Sequence, residues 1–203
     1  MKIPHIADFE WSPTNNIISY WVAEDKNVPA RVVLIDIPSK NEIRSKNLVN
    51  VVQCKMFWQS AGDYLCVRVE RYKKVTVTKD EPRYTGIYYN FEFFRMREKQ
   101  IPVESINELK ENCYSFAWEP NGQRFAIISG EMTSKTTGSF YKIVNPTQNV
   151  AGKIELIKEF KGRSFLQVSW SPQGQYCAMV ATTSKTSGQA IAATSCHAEF
   201  FEV

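Results

Sequence analysis

The sequence has 203 residues, of which 43% are hydrophobic and 23% are charged, and this composition excludes a disordered tail or a collagen-like fibre. The 25 basic and 21 acidic residues give a net charge of +4, and the whole excess lies between Arg68 and Lys99. This charge falls well short of that of a dedicated DNA-wrapping protein and indicates one basic patch.

A similar segment occurs four times, beginning at Phe9, Met56, Phe116 and Val168. Each copy contains a tryptophan, then a polar turn with proline, asparagine or glycine, and then an apolar alternating run. The order predicts a β-hairpin, because asparagine and glycine supply the positive φ angles of tight turns. The equivalent tryptophans, spaced 47, 60 and 52 residues apart, are Trp11, Trp58, Trp118 and Trp170.

Further short strands follow these hairpins. Two runs come after each of the first three, and one run follows the last: 30–37 and 42–49, 90–96 and 101–106, 139–144 and 153–160, and 197–203. These runs are β-branched and aromatic, with stretches of period two, and nothing longer than a turn has a helical period. The sequence therefore predicts an all-β fold.

Units of four strands with a tryptophan near the start match the blades of a β-propeller. The predicted fold is about four four-stranded antiparallel blades, the last incomplete, with the four tryptophans as wedges in the blade cores. The four predicted blades span about 5–50, 51–108, 112–163 and 164–203. The second blade includes a long loop or extended hairpin at 70–89. Residues 182–198 are predicted to form a poorly ordered loop because serine, threonine and alanine dominate them. A single β-sandwich and a compact four-bladed ring remain alternatives.

Five cysteines without a C-x-x-C pair cannot all pair within one chain and favour a reducing compartment. The N-terminus lacks the apolar run of a signal peptide, and no stretch approaches the roughly 18 apolar residues of a membrane helix. We therefore expect a cytoplasmic protein without a membrane partner.

Several segments resemble the B subunit of eukaryotic translation initiation factor 3. They are NLVNVVQCKMFWQSAGDYLCVRVER from Asn47, NFEFFRMREKQIPVE from Asn90, AWEPNGQRFAIISGE from Ala117, GKIELIKEF from Gly152 and WSPQGQYCAM from Trp170. The most specific piece is FRMREKQIPV. The resemblance covers roughly residues 6–179 and implies a run of blades from a larger, nine-bladed propeller. It also implies a noncatalytic scaffold that binds other subunits of the initiation factor 3 complex and the small (40S) ribosomal subunit, including its rRNA.

Catalytic groups are scarce in the sequence. The chain has two histidines, and it contains neither the G-x-x-x-x-G-K-S/T phosphate loop nor a G-x-S-x-G elbow. His197 follows Cys196, but adjacent strand residues point to opposite faces, and no further ligands lie at zinc spacing. The sequence thus predicts no enzyme, metal, cofactor or small-molecule substrate.

The basic segment interleaves cations with tyrosines, a combination that suits phosphates and stacked bases. The candidate contacts for rRNA or an acidic partner are Arg71, Lys73, Lys74, Lys79 and Arg83. Arg95 and Arg97 alternate along a predicted strand and are expected to be structural. The alternatives are a solvated loop with ordinary surface charge and a protein-only interaction platform of WD-repeat type without direct RNA contact.

Overall fold

The computed structural model describes residues 2–25, 28–77, 82–131, 135–147, 152–187 and 190–203, with side chains for all of these except 182–195. Within these ranges every regular element is a β-strand. The chain forms two compact units, Met1–Lys110 and Glu111–Val203. The prediction of an all-β chain with four-stranded antiparallel sheets is confirmed.

The first unit contains two four-stranded sheets and one separate hairpin. Its described strands are β1 (Ile6–Trp11), β2 (Ile17–Val22), β3 (Ala30–Asp36), β4 (Glu42–Leu48), β5 (Val51–Trp58), β6 (Tyr64–Arg71), β7 (Lys74–Val77), β8 (Pro82–Thr85), β9 (Tyr88–Arg95) and β10 (Val103–Leu109). The sheets have the orders β1–β2–β3–β4 and β5–β6–β9–β10. Strands β7 and β8 pair with each other, so the second sheet carries an inserted hairpin between two of its central strands.

The second unit contains a four-stranded sheet and a three-stranded sheet. Its described strands are β11 (Asn112–Trp118), β12 (Arg124–Gly130), β13 (Thr136–Val144), β14 (Lys153–Arg163), β15 (Phe165–Trp170), β16 (Tyr176–Ser187) and β17 (Ala190–Glu202). The orders are β11–β12–β13–β14 and β15–β16–β17. In both units, neighbouring strands of a sheet are antiparallel.

The same hydrogen bond closes the tryptophan hairpin in every sheet. The residue after each tryptophan donates its N–H to the carbonyl five residues later, at 2.8 to 3.0 Å. Prolines and glycines inside these turns give the backbone the bends that the closure needs. The four pairs are Ser12 with Ile17, Gln59 with Tyr64, Glu119 with Arg124, and Ser171 with Tyr176.

The core of the first unit lies between its two sheets. Alternate residues of β3, Ala30, Val32 and Leu34, are buried and belong to one cluster with Leu65 and Val67 of β6. Their spacing follows the period of two, which places alternate strand residues on one face. The burial of this face joins the first sheet to the second.

The second repeat contacts the first sheet through its tryptophan and its turn. The indole N–H of Trp58 donates to the hydroxyl of Ser19 on β2, at 2.9 Å. Gly62 has a φ of +71° and lies so close to the first turn that an added Cβ would be 2.1 Å from Oγ1 of Thr14. Only glycine tolerates both the positive φ and this approach.

The fourth repeat makes the corresponding contacts in the second unit. The indole N–H of Trp170 donates to the carbonyl of Ala117 on β11, at 3.1 Å. A Cβ added at Gly174 would lie 2.8 Å from Cγ of Glu119. The ring of Phe140 is central to the core, with the rings of Trp170 and Phe201 at 5.8 and 5.9 Å. The two units therefore bury equivalent positions of the repeat.

The structure corrects one predicted loop, and at 70–89 it has the extended hairpin rather than the long loop. Residues 182–198 were expected to be a poorly ordered loop, and this prediction is wrong for the described residues, because β16 and β17 extend through them, paired from Tyr176 with Glu202 to Ser187 with Ala190. Threonine is β-branched and favours strands, and the long antiparallel register supplies the backbone partners that local composition does not reveal. Segment 70–89 contains the last residues of β6, the hairpin β7–β8 and the first residues of β9.

Candidate interaction surface

The hairpin β7–β8 has one polar face and one apolar face. Its cross-strand pairs are Lys74 with Thr85, Val75 with Tyr84, Thr76 with Arg83, and Val77 with Pro82. Side chains alternate along each strand, so Lys74, Thr76, Arg83 and Thr85 share one face, and the other four share the opposite face. Lys74 and Arg83 are both exposed. The sequence-predicted contacts Lys74 and Arg83 thus lie on the same face, diagonally across the two strands.

Three tyrosines surround the base of the hairpin. The rings of Tyr72 and Tyr84 lie 4.8 Å apart and are tilted by 39°. The ammonium of Lys73 lies 5.8 Å from the ring centre of Tyr88 and 3.2 Å from a carboxylate oxygen of Glu108. The Tyr72 phenol is neutral at neutral pH and can donate a hydrogen bond, and burial raises its pKa further above the usual value of 10.0.

A bulge in β10 forms one wall beside these tyrosines. The pairing of β10 with β9 shifts between Ile106 and Leu109, and Glu108 has a φ of +60°. The amide of Asn90 holds the bulge: its Nδ2 donates to Oδ1 of Asn107 at 3.0 Å, and its Oδ1 accepts the N–H of Glu108 at 3.1 Å. The bulge fixes the backbone that carries the Glu108 carboxylate.

A cleft of about 480 Å³ opens between the hairpin base and the bulge. We call it the tyrosine cleft. Its lining combines aromatic, amide and charged side chains: Asn50, Tyr72, Lys73, Tyr88, Asn90, Asn107 and Glu108. The asparagines and Glu108 were not predicted from the sequence. A polar Asn-Glu pair inside an otherwise strand-like run was the available signal, because such interruptions often mark bulges.

The structure places Arg71 away from this surface. Its side chain is 7% exposed, and the guanidinium donates to the carbonyl of Val49 and lies 3.5 Å from the carboxylate of Glu92. Arg71 is the last residue of β6. A buried, paired guanidinium is structural. Lys79 lies outside the described residues.

A buried charge network surrounds Glu92. Its carboxylate lies 2.5 Å from the ammonium of Lys46 on β4 and accepts a hydrogen bond from the hydroxyl of Ser105 on β10. With Arg71, the network links the first sheet to the second. It was not predicted from the sequence, although a charged residue inside the aromatic run NFEFFR is an unusual core position.

Burial raises the pKa of the Cys54 and Cys177 thiols from 9.0 to about 12. Because the folded chain favours the neutral thiols, their contribution to stability is complete below about pH 9 and is lost as the pH rises toward 12.

At pH 8 we expect a thiol-reactive disulfide reagent to modify the exposed Cys196 rapidly, whereas Cys54 and Cys177 react only on unfolding. A Cys196→Ser variant is the control. Rapid reaction of that variant in the native state would contradict the burial.

The predicted single basic patch is divided between the two ends of the second sheet. Tyr88 and Arg95 are the first and last residues of β9, about 23 Å apart at 3.3 Å per residue. Lys73, Lys74 and Arg83 therefore lie near one end. At the other end, Arg95 is buried beside Glu98 and Glu104, at 3.1 and 3.2 Å, as predicted for a structural residue. Arg97 pairs with Asp63 at 2.6 Å but remains exposed.

The sequence-predicted tryptophans differ in burial. Trp118 is 8% exposed, and Trp58 and Trp170 are partly buried against the two cores. Trp11 is 49% exposed, and all of β1 is exposed. The expected core position therefore does not hold for Trp11 in this structure.

Across the described ranges, no three histidine, cysteine, aspartate or glutamate side chains lie together as metal ligands. His5 lies 3.7 Å from Asp25, and His197 lies 3.9 Å from Glu199. No helix in the described part of the chain has the length and apolar character needed to cross a bilayer.

Comparison with known proteins identifies the family. The model described as eukaryotic translation initiation factor eIF2A matches residues 46–193, which is more than half of the chain. The chain belongs to this family. The B subunit of eukaryotic translation initiation factor 3 from Bombyx mori is 51% identical over 176 residues, which cover 87% of this chain and 24% of that protein. The same subunit from Drosophila melanogaster is 47% identical over 188 residues, or 92% of this chain and 26% of that protein. The resemblance seen in the sequence is confirmed, and the chain spans about a quarter of the length of these relatives.

Solved structures support the fold of this initiation factor family member. A crystal structure of a eukaryotic initiation factor matches with a TM-score of 0.60 at 16% identity, covering 89% of this chain and 38% of that chain. The β-propeller domain of the Trilobed protease from Pyrococcus furiosus matches with a TM-score of 0.60 at 13% identity, and the match covers 98% of this chain and 54% of that chain. At these identities the likeness concerns the fold alone, and the fold is that of β-propeller blades.

Proposed function

We propose that this chain is a noncatalytic scaffold in translation initiation, a propeller segment that binds other initiation factor 3 subunits and the small ribosomal subunit in the cytoplasm. The observation that carries the proposal is the 47–51% identity to the B subunit of initiation factor 3 over about nine tenths of the chain. Each of the four sheets is proposed to be one blade, with limits near 5–50, 51–108, 112–163 and 164–203.

The hairpin is the part of the chain that we assign to rRNA. Lys74 and Arg83 lie exposed on its polar face, and Tyr72 and Tyr84 lie at its base. Cations neutralise phosphates, and aromatic rings stack on unpaired bases, so this combination supports an RNA contact. Lys73 contributes less charge than the sequence suggests, because Glu108 lies 3.2 Å from its ammonium.

The salt dependence of binding tests this assignment. We expect the double variant Lys74→Ala, Arg83→Ala to bind small ribosomal subunits more weakly. The negative slope of the logarithm of the association constant against the logarithm of the salt concentration is expected to become shallower by about one per cation removed. The measurement is a titration of labelled chain with purified subunits at several salt concentrations.

A matched control removes two cations elsewhere. Lys153→Ala, Lys161→Ala takes the same charge from β14, where Lys153 and Lys161 are exposed and lie beside Glu155 and Glu159. The control is expected to retain the slope of the unsubstituted chain. If the two double variants have the same slope, the hairpin is not an rRNA contact.

A protein-only platform is the second candidate, favoured by the apolar face of the same hairpin. Val77 is 79% exposed and Val75 is 41% exposed. Under this alternative, Val77→Ser weakens capture of initiation factor 3 subunits, whereas the double variant Lys74→Ala, Arg83→Ala leaves ribosome binding and its salt slope unchanged.

A further inference from the structure

The tyrosine cleft contains more than the charges that a phosphate contact needs. Its aromatic, amide and carboxylate groups lie next to the base of the hairpin, where Tyr72 packs against Tyr84. A surface that only follows an RNA backbone needs cations, and a carboxylate would weaken its binding to phosphates. The composition of the cleft therefore points to a part of RNA other than phosphate.

The charge inside the cleft disfavours a phosphate. The cleft lining contains one cation, Lys73, and one anion, Glu108, and they form an ion pair at 3.2 Å. The formal charge of the lining is therefore zero. The side chain of Asn90 accepts the N–H of Glu108 and so holds the backbone of this cleft-lining residue, whose carboxylate pairs with Lys73. A phosphate placed here would meet that carboxylate.

The aromatic groups suit a flat, neutral ligand. Tyr72 lines the cleft, and Tyr84 supports its ring at 4.8 Å from the hairpin side. Tyr88 lines the cleft as well, with the Lys73 ammonium 5.8 Å from its ring centre. Rings that are already packed lose little conformational freedom when a base stacks on them. Stacking of this kind accounts for much of the binding of single-stranded nucleic acid.

We propose that the tyrosine cleft takes one unpaired RNA base, stacked on Tyr72, and that it selects bases with an exocyclic amino group over uracil. This inference rests on the proposed contact with rRNA and adds the recognition of one base to that contact. The Glu108 carboxylate accepts a hydrogen bond from the amino group, as acidic side chains do with cytosine. The neighbouring phosphates follow Lys74 and Arg83 on the polar face of the hairpin.

The test uses the full 203-residue chain and short labelled oligoribonucleotides of cytidine or uridine, measured by fluorescence anisotropy. We expect the cytidine oligomer to bind more tightly than the uridine oligomer. Tyr72→Ala is expected to weaken cytidine binding by about 5- to 150-fold, the range for loss of one stacked base. Tyr72→Phe, which keeps the ring, is expected to retain the affinity.

The salt slope separates stacking from charge. Stacking releases no counterions, so Tyr72→Ala is expected to lower the affinity without changing the slope, in contrast to Lys74→Ala, Arg83→Ala. Glu108→Gln frees Lys73 and is expected to raise the affinity for both oligomers while reducing the preference for cytidine. Tyr176→Ala, at an exposed tyrosine of the second unit, is the control and is expected to change neither quantity.

Three results would overturn the inference. Equal affinity for cytidine and uridine oligomers would exclude base selection. Unchanged affinity in Tyr72→Ala, together with a reduced slope in Lys74→Ala, Arg83→Ala, would leave a backbone contact and keep the proposed function. If neither variant affects binding to the oligomers or to small ribosomal subunits, both the cleft and the proposed RNA contact are wrong. Thermal melts of each variant show whether the fold is retained.

Discussion

Replacing Trp118 with alanine is expected to lower the free energy of unfolding by about 3 to 5 kcal/mol. The side chain is 8% exposed, and its ring lies 5.4 Å from the rings of Phe116 and Phe125. Both contacts are close to edge-on, at 85° and 70°. Truncation removes this packing and leaves a cavity, because a dense interior relaxes only in part.

Trp11 is the matched control for this substitution, since it occupies the equivalent position in the first repeat. It is 49% exposed, so Trp11→Ala removes much less buried surface and is expected to cost below about 1 kcal/mol. Chemical denaturation of the two variants and the unsubstituted chain measures both effects. Equal losses would contradict the different burial of the two rings, and an unchanged stability of Trp118→Ala would contradict its core position.

The hairpins could be predicted from the sequence because their determinants are local. A tryptophan, a turn and an apolar run lie within about fifteen residues, and the closing hydrogen bond joins residues only five apart. The four copies have the same closure because they have the same turn chemistry. The repeat therefore predicted the tryptophan hairpin of every sheet before any tertiary contact was known.

Long-range pairing was not predictable in the same way. Residues 182–198 contain no strong strand pattern, and their pairing in β16 and β17 depends on the register of the whole hairpin. Arg71 and Lys73 are close in sequence, yet Arg71 is buried and Lys73 is exposed. A count of charges along the chain cannot separate these two environments.

Of the residues that line the tyrosine cleft, only the tyrosines and Lys73 were predicted from the sequence. Asn50 precedes β5, Asn90 is in β9 and Glu108 is in β10, and these residues meet because β9 pairs with β10 on one side and with β6, the partner of β5, on the other. The bulge that carries Glu108 depends on the hydrogen bond that the Glu108 N–H donates to the side-chain oxygen of Asn90. Such a site becomes visible when the strand order is known.

Glu92→Leu is expected to lower the free energy of unfolding by about 3 to 5 kcal/mol, because removal of one member of a buried ion network leaves uncompensated charge. The Glu92 side chain is 3% exposed, with the Lys46 ammonium at 2.5 Å and the Arg71 guanidinium at 3.5 Å. Leucine is apolar and of similar size, so the loss arises from the two cations and from the Ser105 hydroxyl, which also loses its acceptor.

Two further variants distinguish this network from ordinary surface charge. Glu155→Gln breaks the exposed pair with Lys153 and is expected to change stability by no more than about 1 kcal/mol. Adding Arg71→Met to Glu92→Leu is expected to recover part of the loss, because the buried guanidinium is then gone as well. Denaturant titrations of the three variants measure these differences. If Glu92→Leu is no less stable than Glu155→Gln, or if Arg71→Met deepens its loss, the carboxylate does not compensate the two cations, and the network does not help to hold the first sheet to the second.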